Sequence, residues 1–460
     1  MGSIRALALL QAVVGAVVVN GGAGAQLDEP FPPFIDLYDE WDSDESPYVR
    51  FLPHFGENVQ AVGVGDVNND GYDDILIGGQ LNSLGCVLVF GSKGPHPSHS
   101  VDLPIDGIHA TEINLGGRGE YWVSGIGDIN GDGIADISVT SVAFGPPITN
   151  EVLVIYGRDS QAGQLFPAVL SVDDLDASEG FVIEFPHEGY KATSAGDLNN
   201  DGIDDVAFGV YQQNGWPNGY VLYGRNTAVD GPFPASFTEE YFDGINGFVV
   251  ATTYGGTSST AAAGDVNNDG IDDLVIGSVR FRGVDATRPN GGGFVLFGRD
   301  ADTDGAFPAS IDLAALNGHT GFAINTDAIS MYFVGDVNSD GIDDLAIGAP
   351  SGGYLQWPSG SVYVIYGRDS GQGFYFPAWF DLHSVPDPFG SDYLEVRGGA
   401  LREFGWSVSA AGDMNGDGVA DFVATDRDCC YTVLVYGREA STPCPSDADN
   451  DGFLTPTDFS

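Results

Sequence analysis

Asp265-Val266-Asn267-Asn268-Asp269-Gly270-Ile271-Asp272-Asp273 is the stretch on which the reading of this chain turns, because its pattern Asp-x-Asn-x-Asp-Gly-x-x-Asp is written six times. The other copies begin at Asp66, Asp128, Asp197, Asp336 and Asp413. Side-chain oxygens at positions 1, 3, 5 and 9 and a backbone carbonyl at position 7 form an all-oxygen cage for a hard cation, and the Gly at position 6 permits the sharp turn that gathers them. The expected ligand sets are Asp66, Asn68, Asp70, Tyr72 and Asp74; Asp128, Asn130, Asp132, Ile134 and Asp136; and Asp197, Asn199, Asp201, Ile203 and Asp205. They continue as Asp265, Asn267, Asp269, Ile271 and Asp273; Asp336, Asn338, Asp340, Ile342 and Asp344; and Asp413, Asn415, Asp417, Val419 and Asp421. The implied cofactor is Ca2+, in about six structural sites.

The flanks distinguish these loops from EF-hands. An EF-hand carries its last acid at position 12 and lies between helices, whereas position 12 here is apolar, as at Ile77 and Ile347. Each loop is left through a short apolar run such as Ile75-Leu76-Ile77-Gly78 or Leu345-Ala346-Ile347-Gly348. Runs of β-formers on both sides of a tight turn predict a β-hairpin with the loop at its tip.

Successive copies begin 62, 69, 68, 71 and 77 residues apart. Each period also holds a strand ending in an aromatic-Gly turn, such as residues 294–299 (FVLFGR), and a further strand after a Phe-Pro-Ala step, as in FPASIDL from Phe307. About four strands per repeat of this length predict the blades of an all-β propeller. Small residues (GVG, SAG, AAG) before each loop suit the innermost strand of a blade.

These residues resemble the FG-GAP repeat family found in integrin α-subunit propellers and in secreted bacterial proteins. Phe55-Gly56 and Phe404-Gly405 supply the FG element, and Ile347-Gly348-Ala349-Pro350 supplies a full GAP ending. Other copies drift, to Ile77-Gly78-Gly79 and Phe208-Gly209-Val210. Six repeats predict six blades, with the seven blades of integrins as the alternative. Each repeat is expected to open with a strand like Phe34-Ile35-Asp36-Leu37, and in the family this N-terminal strand completes the last blade and closes the ring.

Composition narrows the setting. Arg5, an apolar run from Ala6 to Val19 and Ala23-Gly24-Ala25 read as a signal peptide over 1–25, cleaved before Gln26, with a propeller over 26–440. That run of about 14 residues is short of the roughly 20 a spanning helix needs. The expected chain is therefore secreted or at the cell surface, with no transmembrane segment after processing. Acids outnumber bases 66 to 16, a net charge of −50, which disfavours nucleic acid and anionic membranes as partners. The four cysteines fit an exported protein that does not depend on disulfides, with Cys86 expected as a buried strand residue. No Asn-x-Ser/Thr sequon occurs, which favours a bacterial secreted protein.

Residues 441–460 read as a linker followed by a different loop, DADNDGFLTPTD, with candidate ligands Asp447, Asp449, Asp451 and Asp458 at EF-hand spacing. It resembles the first loop of a dockerin module, cut short before the second.

Seven scattered histidines form no metal or catalytic pairing, and Gly-x-Ser-x-Gly, HExxH and P-loop motifs are missing from the sequence. Position-8 acids such as Asp272 are read as pointing outward, since Ala135 and Ala420 replace them in two copies. The leading function is an extracellular binding or adhesion module for a protein or carbohydrate ligand. The alternatives are a secreted propeller enzyme, lyase or hydrolase, acting on polysaccharide or phospholipid, and a dockerin-attached subunit of a surface assembly. Recognition is expected on the loops after the GAP positions, which carry Trp216, Arg280, Arg282, Arg288 and Trp357. Aromatic and Arg side chains on loops are the types expected at binding hot spots.

Overall fold

A computed structural model describes residues 60–78, 85–92, 105–115, 120–142, 150–185, 190–210, 219–251, 259–278, 292–326, 328, 330–350, 360–382, 393–398, 403–426 and 432–438. The proposed signal peptide, Phe34–Leu37, the tail loop with Asp447, Asp449, Asp451 and Asp458, and Trp216, Arg280, Arg282, Arg288 and Trp357 lie outside them. The fold is all-β and built of small sheets, six among the described residues, which is consistent with a β-propeller.

Two compact units are distinguished. The first, residues 1–187 and 226–238, holds two sheets. In sheet 1, Gln60–Gly65, Asp74–Gly78, Cys86–Val89 and Ala110–Asn114 run antiparallel in sequence order. Sheet 2 repeats this with Glu120–Gly127, Asp136–Val142, Asn150–Ile155 and Gly180–Phe185. The second unit holds sheet 3, from Tyr190–Gly196 to Gly247–Ala251, and sheet 4, from Ser259–Gly264 to Gly321–Asn325. It also holds sheet 5, from Ser330–Gly335 to Tyr393–Arg397, and sheet 6, from Phe404–Gly412 to Thr432–Val435.

After its opening Asp, the second strand of sheet 5 is apolar along its length because both its faces are covered. Asp344–Ala349 is buried at every residue. The Gly in this run answers to a close approach: a Cβ on Gly348 would lie 2.1 Å from the carbonyl oxygen of Gly405, in the first strand of the next sheet. Separate apolar cores fill the gaps between sheets 1 and 2, 3 and 4, 4 and 5, and 5 and 6. Cys86 is buried and free, as expected for a strand residue.

The IDL-like segments are not blade openers. Val169–Ser171, Ser236–Thr238, Ser310–Asp312 and Trp379–Asp381 each lie between the third and fourth strands of their own repeat, yet each adds in parallel to the outer edge of the preceding sheet. Periodicity marks them as strands but says nothing about which edge they join.

The Phe-Pro-Ala step anchors this clasp. Its Phe is buried against the preceding sheet: Phe376 stacks on Phe322 with centroids 4.3 Å apart, and Phe307 on Phe248 at 4.8 Å. The Arg that follows the aromatic-Gly turn lies over the ring, as Arg368 does at 4.9 Å from the Phe376 centroid and Arg299 at 4.5 Å from that of Phe307. Arg368 also donates from Nη1 to the Tyr375 carbonyl at 3.1 Å. A partly exposed cation over an aromatic face contributes about 1 kcal/mol. Arg368→Ala is therefore expected to lower stability by about that amount in urea unfolding, and Arg368→Lys by less.

Candidate functional site

All six acidic phrases sit at the tips of antiparallel hairpins, between the first and second strands of their sheets. We number them loops 1 to 6 in chain order. Their backbone makes two left-handed steps. One falls at the Gly of position 6, with φ between 85° and 93°. The other falls at position 4, where Asn69, Asn200, Asn268, Ser339, Gly131 and Gly416 have φ between 53° and 75°. Asn and Gly are the residues that tolerate this region most readily. The Asn/Gly/Ser restriction at position 4 was thus a readable signal for loop conformation.

The carboxylates fold these turns by accepting backbone N–H groups. In loop 4, Asp265 Oδ1 accepts from the Asp269 N–H at 3.1 Å and its Oδ2 from that of Gly270 at 2.8 Å, while Asp269 Oδ1 accepts from the Ile271 N–H at 3.0 Å. The same three bonds recur in loops 1, 2, 3, 5 and 6 around Asp66, Asp128, Asp197, Asp336 and Asp413. The side chains at positions 1 and 5 are thereby drawn onto a single turn of backbone.

Position 9 has a further role that the sequence did not disclose. Asp273 is fully buried, and its Oδ2 accepts from the Val266 N–H and its Oδ1 from the Gly298 N–H, each at 3.0 Å. Gly298 belongs to the aromatic-Gly turn after the third strand, so this carboxylate ties the loop to the end of the neighbouring third strand of its own sheet. Asp74, Asp136, Asp205, Asp344 and Asp421 do the same with Gly91, Gly157, Gly224, Gly367 and Gly437. Burial pushes the Asp74 carboxyl up to about 7 and that of Asp344 up to about 8, against the opposing pull of the N–H groups they accept. Burial drives Asp136, Asp205 and Asp273 well above the ordinary carboxylate range. Such groups call for a proton or a cation close by.

Two of the position-8 aspartates do not simply point outward, although Asp73 in loop 1 is exposed. Asp272 and Asp343 are half-buried, and each reaches the preceding loop: Asp272 Oδ2 accepts from the Asp197 N–H at 2.9 Å and Asp343 Oδ2 from the Asp265 N–H at 3.2 Å. Desolvation raises both their pKa values.

Asn130 and Asn267, at position 3, bear on whether the donor set suits a cation. Their Oδ1 atoms are buried and have no hydrogen-bond partner, while their Nδ2 groups lie 3.3 Å from the position-9 carboxylates Asp136 and Asp273. An unsatisfied amide oxygen beside a buried carboxylate, with two more carboxylates on the same turn, fits the oxygen-only coordination of a hard divalent ion. Among the described residues, no three Asp, Glu, His or Cys groups are already gathered as a metal cluster. An ion would therefore draw on amide and carbonyl oxygens as well as carboxylates.

The FG-GAP repeat profile matches residues 58–86 and 333–365. The chain is 31% identical over 255 residues to integrin alpha-V of Gallus gallus, covering 54% of this chain and 21% of that protein. To integrin alpha-5 of Xenopus laevis it is 28% identical over 256 residues, 54% of this chain and 20% of that protein. It is 31% identical over 183 residues to phosphatidylinositol-glycan-specific phospholipase D of Rattus norvegicus, covering 38% of this chain and 19% of that protein. The matched stretch thus spans about a fifth of the length of these relatives. No helix among the described residues is long and apolar enough to cross a membrane.

Proposed function

We propose that this chain is an integrin-α-like, calcium-binding β-propeller of six blades, exported from the cell, that serves as an extracellular adhesion module. The observation that carries the calcium reading is the oxygen-lined hairpin loop repeated six times, with buried, unsatisfied amide oxygens at Asn130 and Asn267. In loop 4 the holding groups are the side chains of Asp265, Asn267, Asp269 and Asp273 and the carbonyl of Ile271, and the other loops use the equivalent residues. A bound Ca2+ supplies the positive charge that lets three carboxylates remain ionised on one short turn. Positions 1 and 5 hold the turn through backbone N–H groups, and position 9 anchors it to its sheet.

The adhesion reading rests on the similarity to integrin α-subunits, and its partner is an extracellular protein or carbohydrate. Each second strand runs away from its calcium hairpin, and we assign recognition to the sequence that follows it, which carries Trp216, Arg280, Arg282, Arg288 and Trp357. Calcium-dependent binding to immobilised matrix proteins or polysaccharides is the expected result for the purified chain. Replacing Trp216, Arg282 and Trp357 together by Ala should abolish that binding while calcium content and melting temperature stay as they were. Undiminished binding by the triple variant would move the recognition site elsewhere.

The similarity to a phospholipase D favours a second reading, in which the same repeats serve a hydrolase acting on a phospholipid. Release of headgroup from phosphatidylinositol-glycan vesicles by the purified chain would decide for it.

A further inference from the structure

Neighbouring loops share more than a common pattern. In the second unit, two consecutive residues after the third strands of sheets 4, 5 and 6 straddle two loops. The Gly298 N–H goes to Asp273 of loop 4, and the Arg299 N–H goes to the Leu198 carbonyl of loop 3 at 3.0 Å. The Gly367 N–H likewise goes to Asp344 of loop 5, and the Arg368 N–H to the Val266 carbonyl of loop 4 at 2.8 Å. Gly437 and Arg438 repeat this between loops 6 and 5. These backbone ties belong to every neighbouring pair of loops in the run from 3 to 6.

The position-8 side chain is where the pairs differ. Asp272 of loop 4 holds the Asp197 N–H of loop 3, and Asp343 of loop 5 holds the Asp265 N–H of loop 4. Loop 6 has Ala420 there, which can offer loop 5 only its backbone N–H, to the Asp336 carbonyl at 3.0 Å. The carboxylate ties therefore run from loop 3 through loop 4 to loop 5 and stop.

We propose that loops 3, 4 and 5 take up calcium as a coupled set, with Asp272 and Asp343 as the positioning residues that carry the coupling. This rests on the reading of the loops as calcium sites. Asp272 adjoins Asp273, so any constraint on the Asp273 carboxylate also fixes the backbone from which the Asp272 side chain reaches Asp197. Asp197 is the first residue of loop 3, and both its carboxylate oxygens define that turn through the Asp201 and Gly202 N–H groups. Order at loop 4 thus lowers the cost of ordering loop 3, and linkage makes the effect reciprocal. Asp343 relates loop 5 to loop 4 in the same way.

The test is a double-mutant cycle on the full chain, read by hydrogen–deuterium exchange of loop peptides during titration with calcium alone. Asp269→Ala disables loop 4, and the readout is the calcium midpoint for protection of the loop 3 peptide. With Asp272 present, Asp269→Ala should raise that midpoint by about fivefold or more, the lower end of typical coupling between sites. In an Asp272→Ala background the same change should move it by less than about twofold. Asp272→Ala is expected to fold, since Ala135 and Ala420 occupy that position in loops 2 and 6. Asp272→Asn, which keeps an acceptor oxygen without the charge, should retain the coupling. As a control, Asp417→Ala in loop 6 should shift loop 5 by less than about twofold. Equal shifts with and without Asp272, or no shift at all, would overturn the proposal. Absence of any calcium uptake by the wild-type chain would overturn the calcium reading itself, and the coupling with it.

Discussion

In excess chelator the chain is expected to melt far below its melting temperature in millimolar calcium. In loop 4 the negative charges of Asp265 and Asp269 disfavour that of the buried Asp273, and this repulsion opposes the folded hairpin when nothing positive lies near them. An ion bound only by the folded state stabilises it by RT ln(1 + [L]/Kd), about 2.7 kcal/mol per site at a hundredfold excess over Kd. For cooperative units of 150–250 residues each kcal/mol moves the midpoint by roughly 2–4 °C. A drop of roughly 10 °C or more in calorimetry is therefore expected from the loss of even two sites in one unit. Identical melting curves in chelator and in calcium would remove calcium from the account of this fold.

The second large effect separates the anchoring role of position 9 from metal holding. Asp273→Ala leaves the Val266 and Gly298 N–H groups buried without an acceptor, and each such orphan costs about 1–3 kcal/mol. Removing a desolvated carboxylate gives part of that back, since burial disfavours its charge. A net loss of about 2 kcal/mol or more is expected, and it should appear in chelator as well as in calcium. Asp269→Ala removes an exposed carboxylate whose noted backbone partner is the neighbouring Ile271 N–H. It should weaken the protein in calcium and have little effect in chelator. Denaturant unfolding of both variants under both conditions checks this, and equal behaviour of the two would refute the anchoring role.

Much of this was legible in the sequence because it is local. The Asp-x-Asn-x-Asp-Gly pattern, the apolar run after it and the repeat period carry the hairpins and the small sheets without any distant information. Cys86 was legible for the same reason, lying in a run of β-formers. What escaped was nonlocal. Ser310–Asp312 looks like a strand from its own residues, but its partner, Gly247–Ala251, belongs to the preceding repeat. The outward reading of Asp272 failed likewise. An acid beside a ligand position is unremarkable within its own loop, and only the approach of the Asp197 N–H, 75 residues away in sequence, gives it a partner. The double use of position 9 was hidden because nine-residue spacing reveals a ligand but not the Gly298 N–H waiting across the sheet.

The backward-reaching clasp strands impose an order on synthesis. Sheet 4 cannot complete its outer edge until Trp379–Asp381 has emerged, and Asp381 lies 56 residues beyond its partner Asn325. At ribosomal rates of about 5–20 residues per second, that edge waits for roughly 3–11 s with its N–H and C=O groups uncovered. An open edge is a template for pairing with another chain. Every nascent sheet that awaits a clasp passes through such an interval, so a ribosome stalled inside a repeat strands the sheet before it. Truncation points for expressing this protein in pieces therefore belong after a clasp strand, where the preceding sheet leaves the ribosome already closed.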